Sequence, residues 1–307
     1  MNDITGFGKG VEKLIDAISK AIGVLYEPKR IRKQADALAY KEKVVANAKS
    51  EAKSNEIALV TKAKIEVFEM VAESKSTIQE RLEAKQQYLE YRKQINLEKV
   101  IEHGLNNVEN NVSEEPIDED WLAKLINYAE NATTEKMQLL WGKVLAGEVT
   151  TPGSFSVKSL DILQKMTPKE ADAFQRACNI SSILTTNQKI LIHGYTNNSM
   201  LMVLPTFRNE FEIYEFLTLP EQFALSDIGL IHKEGLINGS VSYKEEITIN
   251  NNGIEINLRC KRTGIGLLTY KLTEAGNELS RLIPDAPNET YLKKLKSSLS
   301  KAFKVLA

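Results

Sequence analysis

Apolar residues recur at three- and four-residue steps along the first segment. Ile4, Phe7, Val11, Leu14, Ile15, Ile18, Ile22 and Leu25 fall on one face of a helix, and Lys9, Lys13, Asp16, Ser19 and Lys20 take the other. Gly6, Gly8 and Gly10 weaken helix at the start and Pro28 cannot sit inside it, so the spacing predicts a helix over about residues 10–25. Residues 29–103 then run without a glycine or proline, which predicts a long helix or helical hairpin, roughly 110 Å long if it is one rod. Ile57, Val60, Val67, Val71 and Ile78 lie near heptad spacing, but Lys64 and Ser74 share that seam. A second line of Ile65, Phe68, Ala72, Leu82, Leu89, Tyr91 and Ile95 drifts away from it. Hairpin, dimeric coil and helical stack all fit, and the lack of a turn signal favours a continuous rod. A stripe of that length needs a second helix to cover it, from this chain or another.

After Gly104 the run Asn106, Asn107, Asn110, Asn111 and Ser113, with acids around Pro116, marks a loop. Trp121, Leu122, Leu125 and Ile126 begin a helix. Thr133 or Thr134 caps the next, which carries Met137, Leu140, Trp141, Val144 and Leu145 and has Gly147 placed to end it. Pro152-Gly153 is a turn, and Ser154 or Ser156 caps a helix through Leu160, Ile162 and Leu163. Thr167-Pro168-Lys169-Glu170 is a capping box with proline at the first helical position. Beyond residue 187 the period changes to strands: Ile190–Ile192 and Met200–Leu204 around Asn197-Asn198, then a meander of Val241–Ile249, Ile254–Cys260 and Leu267–Leu272. Helices are predicted from Pro220 to Ile228, from Thr273 through Leu282, and from Tyr291 to Phe303.

The expected architecture is mainly α with a C-terminal α+β part. It divides into an amphipathic N-terminal helix (1–27), a long helical or coiled-coil segment (28–111), a compact helical domain (112–186) and an α+β, winged-helix-like module (187–307).

Composition adds limits more than chemistry. The 307 residues carry a net charge of −1 and are 42% hydrophobic, enough to build cores but without the basic excess of a dedicated nucleic-acid coat. Cys178 and Cys260 lie far apart and read as buried thiols in a reducing cytosol. No segment approaches the roughly 20 apolar residues of a spanning helix, and no signal peptide is evident, so the expected location is cytoplasmic. The N-terminal stripe Phe7, Val11, Leu14, Ile15, Ile18, Ile22 and Leu25, followed by Lys29, Arg30, Arg32 and Lys33, also suits the interface of an anionic inner membrane. Packing on the protein's own long helix or another subunit is the favoured alternative.

His103, His193 and His232 have no ligand-spaced Cys, Asp or Glu around them, so no metal site is expected. There is no phosphate loop, dinucleotide fingerprint or nucleophile elbow, and no cofactor or catalytic residue is assigned. Glu148 beside Ser154 and Ser156 is the one polar cluster in the most distinctive block, and satisfying free amides at the next helix start is its simplest role.

That block, Leu140-Trp141-Gly142-Lys143-Val144-Leu145-Ala146-Gly147-Glu148 followed by Pro152-Gly153-Ser154-Phe155-Ser156 and Leu160, resembles the signature of an uncharacterised family of bacterial and prophage proteins known only as a domain of unknown function. Ile22-Gly23 to Tyr26-Glu27-Pro28 is similar to that family too. The resemblance implies relatives without implying a reaction. In the order of its parts the chain is loosely similar to abortive-infection alpha proteins of phage defence.

Leu225-Ser226-Asp227-Ile228-Gly229-Leu230-Ile231, with Tyr270-Lys271-Leu272-Thr273-Glu274-Ala275-Gly276-Asn277-Glu278-Leu279, resembles pieces of winged-helix modules. The recognition helix this implies has no Lys or Arg, while Arg259, Lys261 and Arg262 would form a basic wing tip. The expected function is a non-enzymatic, self-associating scaffold or interaction protein, a homo-oligomer through its long helix with an unidentified protein partner. A DNA-binding regulator is the less favoured alternative.

Overall fold

The computed structural model describes residues 8–23, 77–184, 188–197, 207–210 and 213–306. They fall into two compact units divided between Ser154 and Phe155. The boundary differs from the expected divisions at 111/112 and 186/187. The first two of the four punctuated helices belong with the N-terminal helix and the long helix, and the last two belong with the strands.

The first unit is helical: α1 (Lys9–Ile22), α2 (Ile78–Asn107), α3 (Glu119–Glu130) and α4 (Glu135–Thr150). α1 ends as its glycine dictates, with Gly23 at φ 68° in the left-handed region. α2 begins at a complete capping box: the Thr77 hydroxyl accepts from the Glu80 amide at 3.2 Å and the Glu80 carboxylate accepts from the Thr77 amide at 3.2 Å. Thr77 itself is extended, at φ −110° and ψ 153°. A helix therefore starts at Ile78, so one uninterrupted helix does not run through Thr77. Thr77-x-x-Glu80 is the start signal that the lack of glycine and proline concealed. The heptad positions from Ile57 to Val71 lie outside the described residues.

α4 runs three residues past Gly147, whose carbonyl accepts from the Thr151 amide at 2.9 Å. The core of this unit holds Leu14, Ile18, Leu97, Val100, Leu125, Trp141, Val144, Leu145 and Val149. Trp121 and Trp141 are both buried, and the Trp141 ring lies 5.6 Å from that of Tyr128. α2 lies along α4 because two glycines meet there. A β-carbon on Gly142 would collide with His103 and sit 2.9 Å from the Gly104 amide. Beside this contact, buried Asn96 donates to the Glu130 carbonyl at 2.8 Å, and buried Gln138 donates to the Ala132 carbonyl at 2.8 Å and to Asn96 at 3.3 Å. The Glu130 and Ala132 carbonyls at the turn between α3 and α4 are thereby satisfied.

The second unit is α+β. α5 (Val157–Lys165), α6 (Pro168–Asn179), α7 (Leu219–Asp227), α8 (Glu274–Ser280) and α9 (Glu289–Leu299) accompany two antiparallel sheets. One sheet has the order β2 (Phe207–Glu210), β1 (Ile190–Asn197), β6 (Ile265–Lys271), β3 (Leu236–Val241). The other has β4 (Glu246–Asn251), β5 (Ile254–Cys260), β7 (Phe303–Val305). The expected meander is therefore corrected. β4 and β5 do form a hairpin over Asn252 and Gly253, at φ 48° and 88°, but β6 crosses into the first sheet. Burial explains the choice. β5 alternates, burying Ile256, Leu258 and Cys260, whereas Ile265 to Thr269 are buried on both faces, as a central strand requires. The place beside β5 goes to β7, so the last helix stops at Leu299 and Phe303 is a strand residue. Residues 200–204, expected as a strand, lie outside the described residues.

Candidate functional site

The distinctive block is built for packing and capping. Trp141 and Leu145 are buried in α4, and Glu148 is 2% exposed, its Oε1 accepting from the Gly153 amide at 2.6 Å. Gly153 needs its φ of 81° for the turn after Pro152. Lys13 of α1 donates to the Ser113 carbonyl at 2.8 Å, and Glu115 and Glu148 act on it electrostatically. Burial holds the Lys13 ammonium below the usual lysine range, against those two carboxylates. Ser154 donates to the Thr151 carbonyl at 2.5 Å.

In the second unit, Phe155 is buried and Ser156 is the cap of α5, accepting from the Ser159 amide. The carboxylate expected at this helix start is not Glu148 but Glu278, 122 positions on. It accepts from the Ser156 amide at 2.7 Å, the Ser156 hydroxyl at 2.9 Å and the Ser159 hydroxyl at 2.5 Å, and is 8% exposed. Sequence reasoning missed Glu278 because its partners are remote.

The segment 225–231 meets the segment 270–279. Thr273 donates its hydroxyl to the Gly229 carbonyl at 2.6 Å and its amide to the Leu230 carbonyl at 2.9 Å. Gly276 must be glycine, because a β-carbon there would run into the Leu230 carbonyl. α7 presents Leu219 and Phe223 outward, and neither is charged. Of the basic hairpin residues, Arg259 pairs with Glu246 at 2.5 Å and Lys261 donates to the Ser300 carbonyl at 2.6 Å. Arg262 is exposed.

The amphipathic stripe of α1 faces inward: Leu14 and Ile18 are 0% and 1% exposed, in the core of the first unit with α2, α3 and α4. Val11, Ile15 and Ile22 are half-buried, and Phe7 and Leu25 lie outside the described residues. At Leu14 and Ile18 the helix's oily side is used by its own unit. Exposed apolar surface lies instead on α2. Its C-terminal third is locked down by Leu97, Val100, Ile101 and Gly104, while Ile78 and Leu82 are 78% and 56% exposed.

Among the described residues no helix is long and apolar enough to cross a membrane, and no cluster of three or more His, Cys, Asp or Glu could hold a metal ion. His193 stacks on Tyr270 at 4.9 Å between ring centroids, and His103 and His232 lie elsewhere. Burial pushes the Cys178 thiol up to about 12, and it raises Cys260 as well, so neither is a thiolate near neutral pH.

A family model described as "Protein of unknown function (DUF2806)" matches residues 80–296, which is more than two thirds of the chain. Neither curated proteins nor solved structures give a match.

Proposed function

The chain belongs to this family of unknown function, which supplies no activity to inherit, and we propose from its own surface that it is a non-enzymatic interaction protein that self-associates through the first turns of α2. One observation carries the reading. Ile78 and Leu82, one turn apart on the same face, are largely exposed on a helix that is properly capped at Thr77 and anchored by its other end. Isolated apolar residues on a surface are ordinary. An apolar pair on a rigid, well-capped helix is a ready contact for another helix.

A second copy suits this face. Glu80, Arg81, Glu83, Lys85, Glu90 and Arg92 alternate in sign along the same turns, so a like helix offers complementary charge beside the apolar pair. The buried, internally satisfied polar groups of the distinctive block support a structural role for it. The prophage or phage-defence setting implied by resemblance goes with this reading. It is tested by plaquing phages on cells with and without the chain.

Size-exclusion chromatography with light scattering tests the core claim. The wild-type chain is expected as an oligomer at micromolar concentration, and Ile78→Glu combined with Leu82→Lys as a monomer of unchanged melting temperature. A wild-type chain that runs as a monomer ends the proposal.

A further inference from the structure

We propose that a cleft in the second unit is a binding site for a small phosphorylated molecule of mononucleotide size. This rests on geometry away from α2 and is independent of the self-association reading. The cleft has a volume of about 600 Å³ and lies between the β4–β5 turn, the residues leading into β1 and the segment after α8. That is the size range of small-ligand pockets.

The backbone of each of its two basic residues is anchored. Lys189 is held at the mouth of β1 by its amide, which donates to Asn277 Oδ1 at 2.8 Å. Arg281 is the C-terminal cap residue of α8, its amide bonded to the Glu278 and Leu279 carbonyls. Both line the cleft, with Asp285 as the acid among the lining residues. The Lys189 side chain is 16% exposed, yet its ammonium stands 3.6 Å from Asp285 Oδ1, longer than the 2.7–2.9 Å or so of a charge-assisted hydrogen bond. A sheltered ammonium in a loose ion pair can take a better-placed anion, and a guanidinium in the same cleft suits phosphate oxygens.

The rest of the wall favours a ring with polar edges. Ile183, Ile283 and Pro284 supply apolar surface. Asn250 commits its oxygen to the Gly253 amide at 2.9 Å, which leaves its NH₂ as the group to meet a ligand. Asn252 commits its NH₂ to the Cys178 and Asn179 carbonyls at 3.0 and 3.1 Å, which leaves its oxygen. One donor and one acceptor beside an apolar wall match the edge and face of a nucleobase.

Isothermal titration of the full chain with AMP, GMP, CMP and UMP, with inorganic phosphate alone and with the matching nucleosides tests this. At least one mononucleotide is expected to bind, at least tenfold more tightly than its nucleoside or free phosphate, with affinity falling as salt rises. Lys189→Met and Arg281→Met should each weaken binding at least tenfold. Lys189→Arg should retain it, and Asp285→Asn, which removes the competing carboxylate, should tighten it. No heat with any mononucleotide at millimolar concentration, equal binding of nucleotide and nucleoside, or unchanged binding in folded Lys189→Met/Arg281→Met protein would overturn the assignment. Lys189→Arg and Asp285→Asn keep the test open should the methionine variants fail to fold.

Discussion

The backbone amide of Ser156 donates to the Glu278 carboxylate at 2.7 Å, joining the start of α5 to α8 across 122 positions of sequence. The same carboxylate takes the hydroxyls of Ser156 and Ser159. A remote side chain thus does at this helix what a neighbouring acid does in a local capping box.

Removing that acceptor strands three donors in a buried place. Glu278→Ala should destabilise the second unit by about 2 kcal/mol, read from urea unfolding. Ser156→Ala should then cost less in the Glu278→Ala background than in wild type. Additivity of the two within about 0.3 kcal/mol would show that they do not act as a pair.

Gly142 and Gly153 are glycine for different reasons. Gly142→Ala drives a β-carbon into His103 and the Gly104 amide, and should cost about 1–3 kcal/mol by overpacking. Gly153→Ala meets nothing within 4 Å and carries only the strain of φ 81°, roughly 1–2 kcal/mol. Hydrogen exchange separates them: the first should loosen α2 amides around His103, the second only the turn after α4.

The placement of α1 gives a contrast between two apolar residues. Ile18→Ala should destabilise the first unit by about 2–4 kcal/mol, because Ile18 is buried against its neighbours. Leu82→Ala should change stability by less than about 0.5 kcal/mol. Liposome flotation should not distinguish Ile18→Ala from wild type as long as both are folded, since that side chain has no free surface.

Alkaline pH should weaken the second unit. Burial raises the thiol of Cys178 from 9.0 to about 12 and raises the Tyr291 phenol, whose hydroxyl donates to the Ile192 carbonyl at 2.8 Å. Both groups keep their protons in the folded chain while the unfolded chain loses them. Their contribution to stability is therefore intact below pH 9 and declines as pH climbs toward 12. Melting temperature between pH 8 and 11 should fall, and Cys178→Ala should flatten part of the fall. Iodoacetamide at pH 8 should label Cys178 only after unfolding.

Local chemistry made much of this chain readable. The capping box at Thr167 and the helical face of α1 act within a few positions of themselves, so spacing alone locates them, and it narrows two further caps to Thr133 or Thr134 and Ser154 or Ser156, of which the structure uses Thr134 and Ser156. The same locality explains what was misplaced. Gly147 looks like a stop, but packing along α2 carries α4 on to Thr150. The strands around β5 look like one meander, but the burial of both faces of β6 sends it to another sheet.

The candidate sites divide in the same way. The apolar stripe of α1 was legible, and whether it faced solvent, lipid or its own unit was not, because a stripe has no address until a neighbour covers it. The pairing of Glu278 with α5, and the meeting of Lys189, Arg281 and Asn250 around one cleft, are invisible to periodicity, since their separations in sequence carry no signal. Amino-acid order by itself determined that the chain is mostly helical with antiparallel strands toward its C-terminal end, and it marked several of the helix caps; only the tertiary structure decided which carboxylate, cation or apolar face each element meets, because hydrogen bonds and burial depend on distance in space, which the chain sets only once it has folded.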